Sequence, residues 1–416
     1  MLRKLVCMVM AVMCLGIWTA GMAENETVYT GRDAQDEWYA AMLKDGLVRL
    51  GNPTRLQRVI ARAQAGEAVT VAAIGGSITE GAGAREYKDC WAYQFMMGLR
   101  RLYGAGDGTN IHFVNAGVGG TPSTFGWMRY ERDVVGRVSD DDNLPDIVVI
   151  EFAVNDYNEP SNHQCYEAMV KDILSQPNEP AVILLFSVFK GGFNLQDEIR
   201  RIGDTYDLLM VSIRDAAYPH VGQEWTEAEF FYDQYHPTSF GHAVMADCML
   251  AGVQACAAQE TPAADISLDV APAFGMAYAH MTKVFGDSDT QAIGLERGSF
   301  AHDDSTTYRN LPVGRVCGPN FHHAANDGSE PMTFTAVFSR LLISWKNTTD
   351  ASYGAAEIWV DGKRAATLRG LSGSWGQSET SLVYTRFESR EHIVEIRMAE
   401  GSEDKKFTIT CMGIVE

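Results

Sequence analysis

Residues 69–83 read VTVAAIGGSITEGAG. Val69, Val71 and Ile74 belong to an apolar, β-favouring run that stops at Gly75-Gly76. Ser77 follows at once, and the chain then turns through residues 78–81. A buried parallel strand delivers a hydroxyl in this way to the carboxyl edge of a sheet, where α/β proteins place their chemistry. The two glycines omit Cβ atoms where the backbone must turn and leave room beside the serine. A Gly-Gly-Ser turn is also an ordinary way out of a strand into a helix. Other residues must therefore decide whether Ser77 is a nucleophile.

Outward from this stretch, strands and helices alternate. Residues 111–115 (IHFVN), 146–152 (DIVVIEF), 181–188 (AVILLFSV) and 211–213 read as further strands. Residues 90–103, 127–138, 163–175, 198–210 and 238–257 carry helical spacing. Ahead of the first strand, residues 24–50 read as a helix anchored by Trp38 and Tyr39, and residues 55–65 as another. Nearly continuous apolar strands between helices imply a parallel sheet covered on both faces, an α/β domain over residues 24–260 with a helical extension at 24–66. Residues 261–290 read as a connector, after the proline and alanine signals at 261–264 and 271–273. Beyond it the pattern is period two, with strands at 332–338, 341–345, 355–360, 364–368, 381–387, 392–399 and 406–412 and a hairpin turn at Asp361-Gly362. That predicts an antiparallel β-sandwich over residues 291–416.

The chain has 416 residues, a formal net charge of -20, 46% hydrophobic and 21% charged residues. The acidic balance argues against nucleic acid and anionic membrane surfaces as partners. Arg3 and Lys4, an apolar run at 5–18 and small residues at 20–23 read as a secretory signal over residues 1–23. The run is short for a membrane span. The expected product is secreted or periplasmic, with no membrane insertion once the signal is removed. Cys90, Cys165 and Cys248 sit in apolar helical patterns and read as buried thiols. A Cys317–Cys411 bridge is compatible with an oxidising compartment, although spacing does not fix the pairing.

Three other turns lie at the ends of strands or just before the last helix, so all can reach Ser77. In residues 115–121 (NAGVGGT), Gly120 can offer a free N–H. Asn155 follows the strand DIVVIEF and offers a neutral amide donor. With the Ser77 N–H these make three donors for a developing oxyanion. In residues 233–237 (DQYHP), Asp233 stands three residues before His236. A carboxylate there can hold one imidazole nitrogen while the other faces the serine, the logic of nucleophile, base and orienter. His242 is a rival base, for which a packing role is the better reading. Asp156 reads as structural, and His322-His323 as a surface loop.

These four blocks, in this order, resemble the SGNH (GDSL-like) hydrolases over about residues 50–258. Gly75-Gly76-Ser77-Ile78-Thr79 is similar to the family's first block, with Gly76 in place of the usual aspartate. Gly120, Asn155, and Asp233 with His236 are similar to the later ones. The resemblance implies a flavodoxin-like three-layer α/β/α domain and a serine esterase that needs no metal or cofactor. Ser77, His236 and Asp233 would be catalytic, with Ser77, Gly120 and Asn155 as the oxyanion hole. The GGSIT variant resembles secreted bacterial carbohydrate esterases, which implies removal of a short acyl group, acetyl first, from an oligosaccharide or polysaccharide. Trp91, Tyr157 and Tyr235 are candidates for stacking on sugar rings, and Trp375 of the sandwich for carbohydrate binding. A lipid esterase or lysophospholipase of the same fold, and a non-catalytic carbohydrate-binding protein, are the other readings.

Overall fold

A computed structural model describes residues 36–138, 144–306, 318–372 and 378–416. The signal segment read at 1–23, Cys317 and Trp375 lie outside them.

The first sheet has six strands: β1 (Leu47–Arg49), β2 (Val69–Gly75), β3 (Ile111–Gly117), β4 (Ile147–Glu151), β5 (Ala181–Phe186) and β6 (Leu209–Ser212). Their order is β1-β6-β5-β4-β2-β3. All neighbours are parallel except β1 with β6. Apart from the antiparallel edge strand, this is the flavodoxin-like order. Every residue of β2, β4, β5 and β6 is buried, the reason these segments read as unbroken apolar runs.

The helices are α1 (Glu37–Asp45), α2 (Thr54–Gln64), α3 (Ser77–Glu80), α4 (Trp91–Tyr103), α5 (Ser123–Asp133), α6 (Pro160–Leu174), α7 (Gln196–Thr205), α8 (Ile213–Ala216), α9 (Glu227–Phe230) and α10 (Ser239–Ala257). The pleat sends Val71 and Ala73 to the face covered by α1, α2, α4 and α10. It sends Ala72 and Ile74 to the face covered by α5, α6 and α7. Helix α10 is long and apolar enough to cross a membrane, but most of it is buried inside this domain. A helix apolar all round is what a core position produces.

The C-terminal sandwich contains β7 (Met281–Val284), β8 (Phe321–His323), β9 (Met332–Trp345), β10 (Ala355–Val360), β11 (Lys363–Arg369), β12 (Glu379–Met398) and β13 (Phe407–Val415). The order is β11-β10-β12-β9-β13-β7, with β8 also on β13, and every pairing is antiparallel. Strands β9 and β12 each run through positions expected to break into two strands. Their pairing slips between Leu382 and Tyr384 and again between Thr385 and Arg390. Such irregularities let one long hairpin bend and serve both layers. Phe334, Phe338, Ile358 and Ile396 therefore share a core with Ile343, Phe407 and Ile409. Asp361 and Gly362 both have positive φ (51° and 70°), the conformation of a two-residue hairpin turn.

Several expectations need correction. Residues 47–49 form an edge strand rather than helix. The stretch read as a connector contains β7, which pairs with β13 inside the second sheet. Before β7 the connector is held down: the buried Glu167 carboxylate accepts the N–H groups of Ala273, Phe274 and Gly275 at 2.6, 2.7 and 3.1 Å. Cys411 is a free, buried thiol, and Cys317, the partner considered for it, lies outside the described residues. Cys90, Cys165 and Cys248 are also free and buried.

The two domains share packing. Leu342, Cys411 and Val415 of the sandwich lie in the same apolar cluster as Trp127 and Met128 of α5. Trp127 Nε1 donates to the Tyr278 carbonyl at 2.9 Å. Lys283 Nζ sits 3.4 Å from the centre of the Trp127 ring and 2.7 Å from Glu131. β13 is buried along its whole length because one face serves the sandwich and the other the hydrolase domain.

Candidate active site

Ser77 opens α3 directly after β2, where the strand order reverses between β2 and β4. Open α/β sheets bind ligands at that crevice. Ser77 Oγ lies 2.9 Å from His236 Nε2. His236 Nδ1 lies 2.8 and 3.0 Å from the two Asp233 carboxylate oxygens. Asp233 Oδ1 also accepts the N–H groups of Tyr235 at 2.7 Å and His236 at 2.9 Å. The aspartate thus builds the turn and orients the ring. Partial burial pushes its pKa up, but the His236 ring and these N–H groups outweigh burial and hold it below the usual value. With Nδ1 engaged by the carboxylate, Nε2 is the nitrogen that can take a proton from Ser77.

Gly120 follows Gly119, whose Cβ position lies 3.4 Å from Ser77 Cβ, and Asn155 packs on Gly76, the residue before Ser77. A Cβ placed on Gly76 would stand 2.0 Å from Asn155 Oδ1 and 2.9 Å from Nδ2. The amide therefore packs against the residue preceding the serine and leaves no room for a side chain there in this structure. Gly76 has φ of -88°, so space and not backbone strain demands glycine. Gly120 has φ of +69° and faces open space.

The turns are tied together from below. Arg129, fully buried, donates to the carbonyls of Ala116 (2.6 Å) and Gly75 (3.1 Å) and to Asp133 (3.2 Å). It pins the carboxyl ends of β3 and β2, the strands that lead to Gly120 and Ser77. Asn115 Nδ2 donates to the Thr79 carbonyl at 2.8 Å. Asp156 accepts the Ser123 N–H at 2.6 Å and Asn162 Nδ2 at 3.2 Å. Glu151, at the end of β4, accepts the Thr79 hydroxyl at 2.9 Å, the Ser187 hydroxyl and the Gly76 N–H. Sequence reasoning assigned nothing to Glu151 or Arg129. The available signal for Glu151 was a single acid ending an otherwise apolar strand.

Burial raises the Glu151 carboxyl to about 7 against the hydrogen bonds that lower it. Burial likewise raises Asp156 to about 7. Both therefore bind protons more tightly folded than unfolded. Their contribution to stability is complete below about pH 4, the unfolded pKa range, and is lost as pH rises through 7. The melting temperature should fall across pH 5–8, and Glu151→Gln should flatten that slope in calorimetry. An unchanged slope in the variant would remove Glu151 from this account.

The other candidates separate clearly. Trp91 is fully buried in the core beside Phe95 and reaches no substrate space, so its stacking role is withdrawn. Tyr157 is 66% exposed and Tyr235 47% exposed. The Tyr235 ring stands 5.1 Å from that of Phe189 and 6.2 Å from His236. His242 accepts the Trp91 N–H at 3.2 Å, and its Nε2 lies 3.1 Å from the Ala82 carbonyl. Burial lowers its pKa to about 4, so it is a neutral packing residue. His322 and His323 form the buried strand β8 rather than a surface loop. His322 Nδ1 lies 2.8 Å from the Thr408 hydroxyl, and His323 contacts the carbonyls of Lys405 and Gly328. Among the described residues no group of three or more His, Cys, Asp or Glu side chains could hold a metal ion.

A cleft of about 670 Å³ runs between the domains. The hydrolase side contributes Gly120, Asn155 and Tyr157, and the sandwich contributes Arg340, Glu379 and Leu382. Gly120 and Asn155 thus open onto a wall formed by β9 and β12.

Residues 73–244 match the GDSL-like lipase/acylhydrolase family. The chain is similar to a solved two-domain esterase active on acetylated mannans, co-crystallised with mannopentaose: 26% identity, TM-score 0.77, covering 90% of this chain and 98% of that one. A second structure of such an esterase gives 25% identity and a TM-score of 0.78 with the same coverage. No curated protein matches the chain in sequence. The α/β domain matches the GDSL-like lipase/acylhydrolase family over residues 73–244, and the protein is an SGNH-type serine esterase.

Proposed function

We propose that this esterase removes acetyl groups from an oligosaccharide or polysaccharide, with a mannan as the first polymer to test. Ser77 Oγ attacks the acetyl carbonyl carbon while His236 Nε2 takes its proton. Asp233 orients the ring and stabilises the imidazolium. The Ser77 N–H, Gly120 N–H and Asn155 amide hold the oxyanion. The tetrahedral intermediate then collapses, His236 returns the proton to the departing sugar oxygen, and an acetyl-Ser77 ester remains. His236 next activates water, which releases acetate and restores Ser77.

The observation that carries the substrate class is the cleft. It is shared by both domains, starts at Gly120 and Asn155, and carries Glu159, Asn162, Gln164 and Arg340 beside Tyr157. Hydroxyl-rich chains need this mixture of hydrogen-bonding groups and an aromatic face, whereas a long acyl chain needs an apolar wall. The two-domain relative supports the reading because its likeness extends over the sandwich as well as the hydrolase domain. Export belongs to the same proposal and is supported by the basic, apolar and small-residue pattern of residues 1–23.

The test is hydrolysis of p-nitrophenyl esters of increasing length, followed by acetate release from acetylated mannan and xylan. Acetyl esters should be the best substrates, with kcat/KM falling at least about tenfold by octanoyl. A preference for octanoyl would overturn the carbohydrate reading in favour of a lipid esterase.

A further inference from the structure

Glu80 lies three residues after Ser77, at the end of α3. Its Oε2 accepts the Gly119 N–H at 2.6 Å, a short, charge-assisted bond across 39 residues of sequence. Gly119 stands directly on the nucleophile: an atom at its Cβ position would lie 3.4 Å from Ser77 Cβ and 3.0 Å from Glu80 Oε2. The next residue is Gly120. Two consecutive glycines have no side chains to restrict their torsions, so the direction of the Gly120 N–H must be set by contacts from outside the pair.

Those contacts flank the pair. The Val118 N–H donates to the Gly75 carbonyl at 3.0 Å, and the Thr121 hydroxyl to the Val118 carbonyl at 2.7 Å. Within the pair, the Glu80 carboxylate holds the peptide that leads into Gly119. Keeping a carboxylate here has a cost. Burial raises its pKa to about 6 despite the Gly119 N–H and the facing Arg129, which both lower it. Arg129 in turn is held by Asp133.

We propose that Glu80 is a positioning residue for the oxyanion site: through the Gly119 N–H it locks the Gly119–Gly120 segment so that the Gly120 N–H points at the acyl oxygen. Nucleophile and oxyanion donor are then carried by one rigid unit, with the two ends of the four-residue turn α3 supplying Ser77 and the clamp. The inference rests on the assignment of Gly120 to the oxyanion. Because an oxyanion donor acts on the transition state more than on bound substrate, losing its alignment should lower kcat and leave KM nearly unchanged.

The experiment compares wild type, Glu80→Ala, Glu80→Gln and Glu80→Asp with p-nitrophenyl acetate at pH 8, alongside thermal melting of each. Glu80→Ala should lose about 10- to 100-fold in kcat, less than outright removal of an oxyanion donor, with KM within about twofold. Glu80→Gln keeps an acceptor oxygen of the same reach and should stay within about threefold of wild type. Glu80→Asp, one methylene too short, should resemble Glu80→Ala and serves in its place if the alanine variant does not fold. A wild-type kcat in the alanine or aspartate variant overturns the proposal. So does a loss confined to KM, or a glutamine variant as slow as alanine. Absence of Ser77-dependent turnover in the wild type would instead strike at the esterase reading itself.

Discussion

Ser77→Ala will reduce hydrolysis of p-nitrophenyl acetate by about 10⁴-fold or more, because it removes the hydroxyl proposed to form the acyl-enzyme while leaving the rest of the site in place. Ser77 is 6% exposed, and its Oγ has His236 Nε2 as a partner at 2.9 Å. The substitution deletes one hydrogen bond, worth about 1 kcal/mol, so the variant should fold and melt close to wild type. The Gly120 N–H and Asn155 amide proposed as oxyanion donors are untouched by the substitution, and a small residual rate over water should persist with them. Mass spectrometry gives the sharper readout. Wild type trapped with a slowly deacylating ester should gain one acyl group on the peptide containing Ser77, and the variant should gain none. Retention of a tenth of wild-type kcat by Ser77→Ala would end the acyl-enzyme account.

That Ser77 could be singled out at all follows from how an α/β sheet encodes itself. A buried parallel strand must be apolar at every position, so its end is sharp, and residues 69–83 carry that edge in plain view. The turns at Gly120, Asn155 and Asp233–His236 are legible for the same reason, each being a polar or glycine-rich break beside an apolar element. What surrounds them was not legible. Glu151 and Glu80 are single charged residues whose partners are 36 to 72 positions away, and Arg129, beyond its local pair with Asp133, reaches backbone carbonyls of two other strands that no local pattern announces. Trp91 failed in the opposite sense: it stands beside Ser77's turn in sequence, yet it opens α4 facing the core.

The sandwich was readable as period-two strands, but not as one wall of a cleft. Alternation says that one face of β12 is polar, and a polar face pointing to open water has the same signature as one lining a cleft. Strand β7 was hidden because four residues on a sheet edge, one of them Lys283 bound to the other domain, give no period to read. The bends that turn β9 and β12 into shared strands were equally silent, since a bulge shifts register without changing composition.

Gly76→Ala is the second large effect, and it tests the contact between residue 76 and Asn155. The added methyl carbon would sit 2.0 Å from Asn155 Oδ1, 2.6 Å from Cγ and 2.9 Å from Nδ2. Contacts this short cannot be kept, so one side must move. Gly76 is fixed: its N–H is held by the buried Glu151 carboxylate, and it sits between β2 and α3. Asn155 can give way, because among the described residues no donor holds its Oδ1. Its amide should rotate away from Gly76, and on the proposal that Asn155 is an oxyanion donor the variant should reproduce Asn155→Ala, losing about 10²–10³ in kcat with KM nearly constant. Combining the two substitutions should then cost little more than either alone, since both remove the same donor. Additive losses in the double variant would place the damage elsewhere, in the Ser77 turn itself. If the clash with Asn155 is the reason for glycine, Gly76→Ala placed on Asn155→Ala should restore the melting temperature lost by Gly76→Ala alone while leaving the enzyme slow. Stability and catalysis would then separate at one pair of residues, the clash at 76 bearing on stability and the Asn155 amide on the rate.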